Sequence, residues 1–230
     1  IHNMVSGHYY REDSPRERIP EIIKTRRNTL VGKPADMSIA FSSESLRYLL
    51  VVSTIEPRKN HATLLAAWEQ LRASRFPGLR LVVVGALGWD HETIIKKFLP
   101  WVERGDLLLL EDVPSAELRK LYRHASATIC PSFGEGFDFS GVEAMRCGSP
   151  VVASDIPVHR EVYANAAAFF SPYSVADTVS VIEGVIRDES AGYREQLLQA
   201  GDEVSARYRP EKLMPAWTAF LRQSAIGAKG

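Results

Sequence analysis

The sequence predicts an α/β fold, a doubly wound parallel sheet of about six strands with helices on both faces. From Tyr48 onward, short apolar runs alternate with segments whose apolar residues recur at helical spacing. The apolar runs are continuous and rich in β-branched residues, which is typical of strands buried on both faces. Strands that alternate with helices pair in parallel through right-handed crossovers, so these observations favour one layered domain.

Six apolar runs are the predicted strands. They are YLLVVSTI at 48–55, LRLVVVGA at 79–86, LLLLED at 107–112, ATICPS at 127–132, PVVAS at 150–154 and AAAFFSP at 166–172. Helices are expected between them, at 60–74, from about 91 to 104, from Pro114 or Ser115 to Ala125, from Ser140, around HREVY, at 175–188 and at 190–207. Pro100 should end or kink its helix, and Pro215 should interrupt a last helix.

Residues 1–47 differ from the rest of the chain. Charged residues are dense around one short helix expected at 20–27, and the apolar content is too low for an independent core. We therefore predict a linker and N-terminal extension over 1–47, with a surface helix, and a single domain over 48–230.

Composition narrows the class of protein. Lys and Arg together number 28, equal to Asp and Glu, so the net charge proposes neither a nucleic acid nor an anionic membrane as a partner. Cys130 and Cys147 lie in apolar or helical segments, which favours reduced, buried thiols in a cytoplasmic protein. Histidine and cysteine spacings give no zinc pattern, and no apolar run reaches the roughly 20 residues that span a bilayer.

The stretch from Ser132 to Pro150, SFGEGFDFSGVEAMRCGSP, is the strongest functional signal. It follows a strand, turns through glycines and then opens a helix. In an open α/β sheet such a loop lies at the carboxyl edge of the strands, where ligands bind. Glu135 stands between two glycines in this loop and has no evident structural role, so an exposed ligand or catalytic carboxylate is expected. Glu143 has two interpretations, a ligand group or the partner of Ser140 in a helix capping box.

Two further turns could bind a ligand. Arg58 and Lys59 follow the first strand and precede a helix, which suits a phosphate or diphosphate, although such a basic pair taken alone more often indicates a solvated turn. The turn GALGWD at 85–90 is either a tight connection with Trp89 packed nearby or a loop that contacts a ligand.

These motifs resemble a known family. EGFDFSGVEAMRCGSPVVAS is similar to the E-x7-E signature of the retaining GT-B glycosyltransferases of the glycogen-synthase-like, group 1 kind, with Glu135 and Glu143 as the two acids. Between about Tyr48 and Val185 four more segments resemble the family in order: STIEPRKN, VVVGALGW, DVPSAELRKLYRHASATICPS and SDIPVHREV. The resemblance implies a Rossmann-like C-terminal lobe that binds a nucleotide-diphosphate sugar, while a separate N-terminal lobe binds the acceptor.

The resemblance also assigns residues. Arg58 and Lys59 would hold the diphosphate, and Glu143 would bind the ribose hydroxyls. Glu135 would be the catalytic residue and would contact the donor sugar. Val113 and Leu118 would flank the base, and the backbone N–H groups of Gly136, Phe137 and Asp138 would add to the phosphate site. The resemblance calls for no cofactor and no metal, since fixed cations and a helix dipole can stabilise the departing diphosphate.

Two departures from the family pattern bear on this expectation. Asp138, Phe139 and Ser140 replace the common Gly-Leu-Pro after the first acid, and Thr54 stands where the family often has an arginine, so Arg58 would supply that charge. Residues 1–47 cannot form an acceptor lobe. The expected function is thus that of an isolated donor lobe, inactive alone, in a hexosyltransferase acting on a glycan or lipid-linked acceptor. Similarity to mannosyltransferases suggests GDP-mannose as the donor, and the full-length protein would be cytoplasmic, peripheral at the inner membrane face.

Two other functions stay open at this point. One is a catalytically silent module that binds a nucleotide or a protein, although both acids and the Arg58–Lys59 pair are retained. The other is a sugar-nucleotide epimerase of the same architecture, which the E-x7-E spacing disfavours.

Overall fold

The computed structural model describes residues 2–29, 31–32 and 46–227, and for 225–227 only the backbone. Within them, parallel strands form a sheet in the order β3-β2-β1-β4-β5-β6. The strands are β1 Tyr48–Val52, β2 Arg80–Val84, β3 Leu107–Leu110, β4 Ala127–Cys130, β5 Val151–Ser154 and β6 Ala167–Phe170. The prediction of a doubly wound, six-stranded parallel sheet is confirmed.

Helices follow each strand and cover both faces of the sheet. They are α1 Arg18–Arg26, α2 His61–Ser74, α3 Glu92–Arg104, α4 Ser115–His124, α5 Phe139–Arg146, α6 Pro157–Tyr163, α7 Val175–Ile186, α8 Ala191–Ser205 and α9 Pro210–Gly227. Every strand is almost wholly buried because side chains on both of its faces contact helices. None of the helices described here is long and apolar enough to cross a membrane.

Alternate residues of each strand divide the core into two halves. Leu50 and Val82 point into one half, whereas Leu49 and Val83 point into the other, where Trp68 of α2 lies fully buried. The alternation follows from the two-residue period of a strand. Both halves end at the same carboxyl edge of the sheet, so the loops at that edge rest on a rigid base.

The N-terminal segment packs more closely than its charges suggest. In α1, Ile19 and Ile23 are fully buried, and the helix contacts α4 and β3. Val5 is also fully buried, and its N–H donates to the carbonyl of Tyr208 at 2.9 Å. The described part of this segment therefore belongs to the core of the sheet domain, although the boundary at residue 48 stays a prediction. Residues 1, 30 and 33–45 of the predicted linker lie outside the described residues.

The predictions that Pro100 ends α3 and that Pro215 interrupts α9 were wrong, while a kink at Pro100 stays a prediction. Helix α3 does not end at Pro100 but continues to Arg104, where Gly105 closes it in the left-handed conformation. Helix α9 likewise runs through Pro215. Both prolines are exposed, so the carbonyl that each one leaves unbonded can face water.

Candidate functional site

A cleft opens at the carboxyl ends of β1 and β4. These two central strands are neighbours, but the chain proceeds outward from them in opposite directions, which makes this point the topological switch of the sheet. Ligands bind at such points because the loops after the two strands diverge. The cavity there measures about 510 Å³. Its lining residues are Asn3, Val52, Ser53, Thr54, Lys59, Glu135, Gly136, Phe137, Asp138, Phe139, Ser140 and Glu143.

Glu135 is held by three side chains. One carboxylate oxygen lies 2.5 Å from Lys59 Nζ and accepts from the Ser132 hydroxyl at 2.6 Å, while the other accepts from Arg58 Nη1 at 2.9 Å. The Glu135 side chain is only 7% exposed. The expectation of an exposed carboxylate was therefore wrong, because cations from the β1–α2 connection cover it.

Arg58 and Lys59 form a short 3₁₀ turn, Pro57–Lys59, between β1 and α2. Arg58 also pairs with Glu56 at 2.8 Å and donates to the carbonyl of Gly134 at 2.7 Å. Its side chain is 43% exposed, whereas that of Lys59 is 15% exposed. Both cations thus meet the Glu135 loop directly, and the solvated-turn interpretation does not hold for them.

Glu143 is not a capping residue. Helix α5 begins at Phe139 with Asp138 at the N-cap, and no side chain caps it. The Glu143 carboxylate instead accepts a hydrogen bond from the buried Tyr122 hydroxyl at 3.2 Å. The capping-box interpretation was wrong because the Ser140 hydroxyl is turned toward Asp138. Burial raises the pKa of Glu143 to about 7, and the charge of Asp138 acts in the same direction. The hydrogen bond from Tyr122 lowers this pKa but does not outweigh the burial.

Asp138 sits at the bend between the loop and α5, with a left-handed backbone at φ 65°. Its carboxylate lies 3.1 Å from His159 Nε2 and accepts from the Ser140 hydroxyl at 2.6 Å. Burial alone would raise the pKa of Asp138, but the hydrogen bonds and the His159 charge outweigh it and lower the pKa to about 2. Asp138 is therefore an ionised, buried anchor for the start of α5.

The loop that carries Glu135 is also fixed at its beginning, at Ser132, by residues that lie near Asp138. The Ser154 hydroxyl, at the end of β5, donates to the carbonyl of Ser132 at 2.5 Å. His159 Nδ1 donates to the Ser154 carbonyl at 2.9 Å, and its other nitrogen contacts Asp138. Ser154 and His159 thus hold both ends of the segment that carries Glu135.

The structure brings most predicted site residues together. Lys59, Glu135, Gly136, Phe137, Asp138 and Glu143 line the cleft, and Arg58 joins it through its bond to Glu135. Val113 and Leu118 do not line it, since Leu118 is buried in the core and Val113 packs against the same core. Their role at the base is untested.

Sequence reasoning missed several contributors. Tyr122, Ser132 and His159 each bond a predicted site residue, and Asn3 reaches the cleft from the N-terminal segment. His159 lies in the quoted segment SDIPVHREV, which was its only signal. Nothing in the sequence marks Asn3.

The turn at 85–90 is a tight connection. A Cβ at Gly85 would lie 2.0 Å from the Ser53 carbonyl oxygen, and Leu87 forms a parallel bridge with Ile55. Trp89 is 57% exposed, so the expectation that it packs nearby was wrong. Among the residues the structure describes, no group of three or more His, Cys, Asp or Glu side chains could hold a metal ion.

Two curated relatives of the chain are mannosyltransferases of Escherichia coli. It is 35% identical over 136 residues to the serotype-specific mannosyltransferase WbdA of Escherichia coli, an alignment that covers 58% of this chain and 16% of that protein. It is 33% identical over 143 residues to O-antigen chain mannosyltransferase B of the same species, covering 62% and 38% of the two chains. This chain thus spans well under half of the length of either relative.

Solved structures agree on the fold. Sucrose-phosphate synthase from Thermosynechococcus elongatus superposes with a TM-score of 0.72 at 20% identity, over 96% of this chain and 50% of that one. Trehalose-6-phosphate synthase OtsA gives a TM-score of 0.67 at 15% identity, over 89% and 49%. Such identities show the Rossmann-like fold of a GT-B lobe alone. Residues 33–204, well over half of the chain, match the model of the glycosyl transferases group 1, and the chain belongs to that family.

Proposed function

We propose that this chain is the donor-binding lobe of a hexosyltransferase that takes its sugar from a nucleoside diphosphate. The observation that carries the proposal is the cluster of Arg58, Lys59 and Glu135 at the switch point of the sheet. A diphosphate needs fixed cations, a sugar needs a hydrogen-bonding carboxylate, and this cluster supplies both within one cleft.

The diphosphate would take the place that the Glu135 carboxylate holds between the two cations. Phosphate oxygens are strong acceptors, and Arg58 and Lys59 would donate charge-assisted hydrogen bonds to them. Glu135, released from the cations, would then accept from hydroxyls of the donor sugar. The cluster is thus an exchange site in which one anion replaces another. The backbone N–H groups of Gly136, Phe137 and Asp138, at the start of α5, would add donors to the phosphates.

Glu143, which also lines the cleft, would bind the ribose hydroxyls. A carboxylate can accept from two neighbouring hydroxyls at once, and its pKa of about 7 would fall as they donate to it. Val113 and Leu118, at the start of α4, would flank the base. For them the support is the family resemblance of the segment, since neither lines the cleft.

In the transfer, the bond between the anomeric carbon and the diphosphate oxygen would break, and an acceptor hydroxyl oxygen would bond to that carbon. The hydroxyl proton would leave with the departing diphosphate or to solvent. Arg58 and Lys59 would stabilise the charge that develops on the diphosphate, so that no divalent metal is required. Retention of anomeric configuration is proposed from the E-x7-E spacing of Glu135 and Glu143.

GDP-mannose is the proposed donor, since the relatives named above are mannosyltransferases. The acceptor, a glycan or lipid-linked sugar, would bind chiefly to an N-terminal lobe that this chain does not contain. The chain alone would therefore bind donor and transfer nothing.

Calorimetry with GDP, UDP and ADP sugars, each with and without EDTA, tests the proposal. We expect a nucleotide sugar to bind, with GDP-mannose tightest and with EDTA leaving the affinity unchanged. Failure of every nucleotide to bind at about millimolar concentration would contradict the donor-lobe assignment. A few charge-assisted hydrogen bonds contribute more binding free energy than a millimolar Kd requires. In the full-length protein, Glu135→Gln should lower turnover without weakening the binding of the nucleoside diphosphate.

A further inference from the structure

A second cavity lies at the same edge of the sheet, between the beginnings of α2 and α3. It measures about 520 Å³ and is lined by Pro57, Asn60, His61, Ala62, Thr63, Asp90, Glu92, Thr93, Ile94, Lys97 and Phe133. None of these residues lines the cleft described above, although Phe133 is two residues from Glu135 in the chain. The cavity therefore opens beside the candidate site, on the other side of the Arg58–Lys59 turn.

Its aromatic wall is Phe133, whose ring is supported by the neighbouring ring of Tyr173. Phe133 stacks on Tyr173 with ring centroids 5.4 Å apart and planes 25° apart. Phe133 is 40% exposed and Tyr173 is 81% exposed. Stacked aromatic rings left open to solvent next to a cavity form an apolar face that a flat ligand can cover.

A buried side chain holds the two rings in place. Asn60 is 3% exposed, has a left-handed backbone at φ 54°, and its amide donates to the carbonyls of Pro131 and Pro172 at 3.0 Å each. These carbonyls belong to the two loops that carry Phe133 and Tyr173. The Phe133 N–H also donates to the Arg58 carbonyl at 2.9 Å. The aromatic wall is therefore preorganised rather than a chance meeting of two mobile loops.

The polar wall is ready to bind hydroxyl groups. Thr63, Asp90, Thr93 and Lys97 line the cavity and offer donors as well as acceptors. His61 adds a buried Nδ1 that has no hydrogen-bond partner among the residues described. Burial, despite the hydrogen bond to the Thr54 carbonyl, lowers the pKa of His61 to about 4, so the ring is neutral at physiological pH.

We propose that this cavity binds a pyranose ring of a glycan. A pyranose has an apolar face of C–H groups, which would cover Phe133, and a rim of hydroxyls, which would bond Asp90, Lys97 and the threonines. The inference rests on the proposed function only in making this glycan the acceptor, with its terminal sugar units held beside Glu135.

Chemical-shift perturbation in the chain with α-linked mannotriose tests the inference, and nucleotide binding is measured separately. We expect shifts confined to amides of 58–63, 90–97 and 133. Phe133→Ala should weaken mannotriose binding by roughly fivefold or more, since stacking on an aromatic ring contributes about that much. Asp90→Asn together with Lys97→Ala should weaken it similarly while leaving the aromatic wall intact. Tyr193→Ala is the matched control, an exposed aromatic on α8, and should change nothing.

Three results would overturn the inference: no shifts with mannotriose, unchanged affinity in both cavity variants, or shifts produced at these amides by inorganic phosphate alone. Each leaves the nucleotide measurement standing, because Phe133→Ala keeps the backbone hydrogen bond to the Arg58 carbonyl, and Asp90 and Lys97 line the second cavity outside the diphosphate cluster. If nucleotides fail to bind while mannotriose binds at the cavity, the proposed function fails and the glycan site remains.

Discussion

The ammonium of Lys59 lies 2.5 Å from the carboxylate of Glu135, although 76 residues separate them in the chain. Together with Arg58 on the other oxygen, this contact makes a compact ion cluster at the point where a diphosphate is proposed to bind. An anion thus already occupies the cationic position. Donor binding as proposed would therefore exchange one anion for another, and its free energy would be the difference between two electrostatic interactions.

Arg58→Ala and Lys59→Ala should weaken a nucleoside diphosphate far more than the matching nucleoside. Each charge-assisted contact contributes about 1.5 to 3 kcal/mol, which corresponds to a loss of roughly tenfold or more for either variant. Calorimetric titration of both ligands measures the difference. Arg160→Ala serves as the control, since Arg160 forms an exposed ion pair with Asp155 outside the cleft. Equal losses for nucleoside and diphosphate would show that the cations do not meet phosphate.

The raised pKa of Glu143 predicts how stability depends on pH. Its folded pKa of about 7 lies above its ordinary value of 4.5, so the native state holds the proton more tightly than the unfolded state. The stabilisation is complete below pH 4.5 and is lost as pH rises through about 7. Glu143→Gln removes this titration. Urea unfolding should show wild type losing on the order of 2 kcal/mol relative to the variant between about pH 5 and pH 8. Identical pH slopes would refute the assignment.

The same variant tests the ribose role. A neutral amide loses the ionic part of the hydrogen bonds from two ribose hydroxyls, so donor affinity should fall by an amount on the order of 1 to 2 kcal/mol. Calorimetry near pH 8, where the wild-type carboxylate is ionised, gives the cleanest comparison. If Glu143→Gln bound the donor as tightly as wild type, Glu143 would not be a ribose ligand, and the proposed site would consist of Glu135, Arg58 and Lys59.

His159→Phe should destabilise the fold through Asp138. The phenyl ring can keep the stacking on Tyr163, but it leaves a buried carboxylate without its main partner, at a cost of about 2 to 4 kcal/mol. In wild type the lowered pKa of Asp138 stabilises the fold at pH values above 3.8, the ordinary pKa of the group. This stabilisation is lost as the pH falls through about 2. Without His159 burial raises that pKa, so the penalty should be smaller at about pH 4 than at about pH 7.

The penalty is measured by unfolding wild type, His159→Phe and a control variant at both pH values. His2→Ala, which removes an exposed histidine beside Glu161, should change stability by less than about 0.5 kcal/mol. A penalty in His159→Phe that does not vary with pH would mean that packing, not the Asp138 charge, sets the cost.

Two helical glycines should respond oppositely to the same change. A Cβ at Gly141 in α5 would lie 2.2 Å from the buried Tyr163 hydroxyl, whereas a Cβ at Gly184 in α7 would meet nothing within 4 Å. Gly184→Ala should stabilise by about 0.5 to 1 kcal/mol, because alanine is the better helix former. Gly141→Ala should instead destabilise by about 1 to 3 kcal/mol, because the Tyr163 ring must shift. Thermal unfolding of the two variants measures these changes in stability. Stabilisation by both substitutions would contradict the packing of α5 on α6.

The fold could be predicted because its signal is local. Each strand is a continuous apolar run, and each Gly-containing turn marks where a run ends, so the sheet and its carboxyl edge follow from the sequence. In α1, by contrast, the spacing of Ile19, Ile22 and Ile23 already matches one helix face, but dense charges around it suggested a surface element. The charges face outward, and the isoleucines belong to the core.

The site was predictable in its members but not in its connections. Glu135 and the two cations carried individual signals, yet their pairing joins distant segments and no spacing rule reports it. The Ser140–Glu143 capping box failed because the N-cap is Asp138, two positions before Ser140, and the Ser140 hydroxyl is turned toward Asp138. Local patterns compete with tertiary contacts, and here the buried His159–Asp138 pair decided the outcome.

The most direct test of the exchange site is the affinity of Glu135→Gln for a nucleoside diphosphate without sugar. Calorimetry would use whichever of GDP, UDP and ADP binds wild type most tightly. Removing the charge of Glu135 frees Arg58 and Lys59 from their competitor, so the variant should bind the diphosphate about tenfold more tightly than wild type, with nucleoside affinity unchanged. Weaker or unchanged diphosphate binding in Glu135→Gln would contradict the account, because it would mean that Glu135 and the diphosphate do not share these cations.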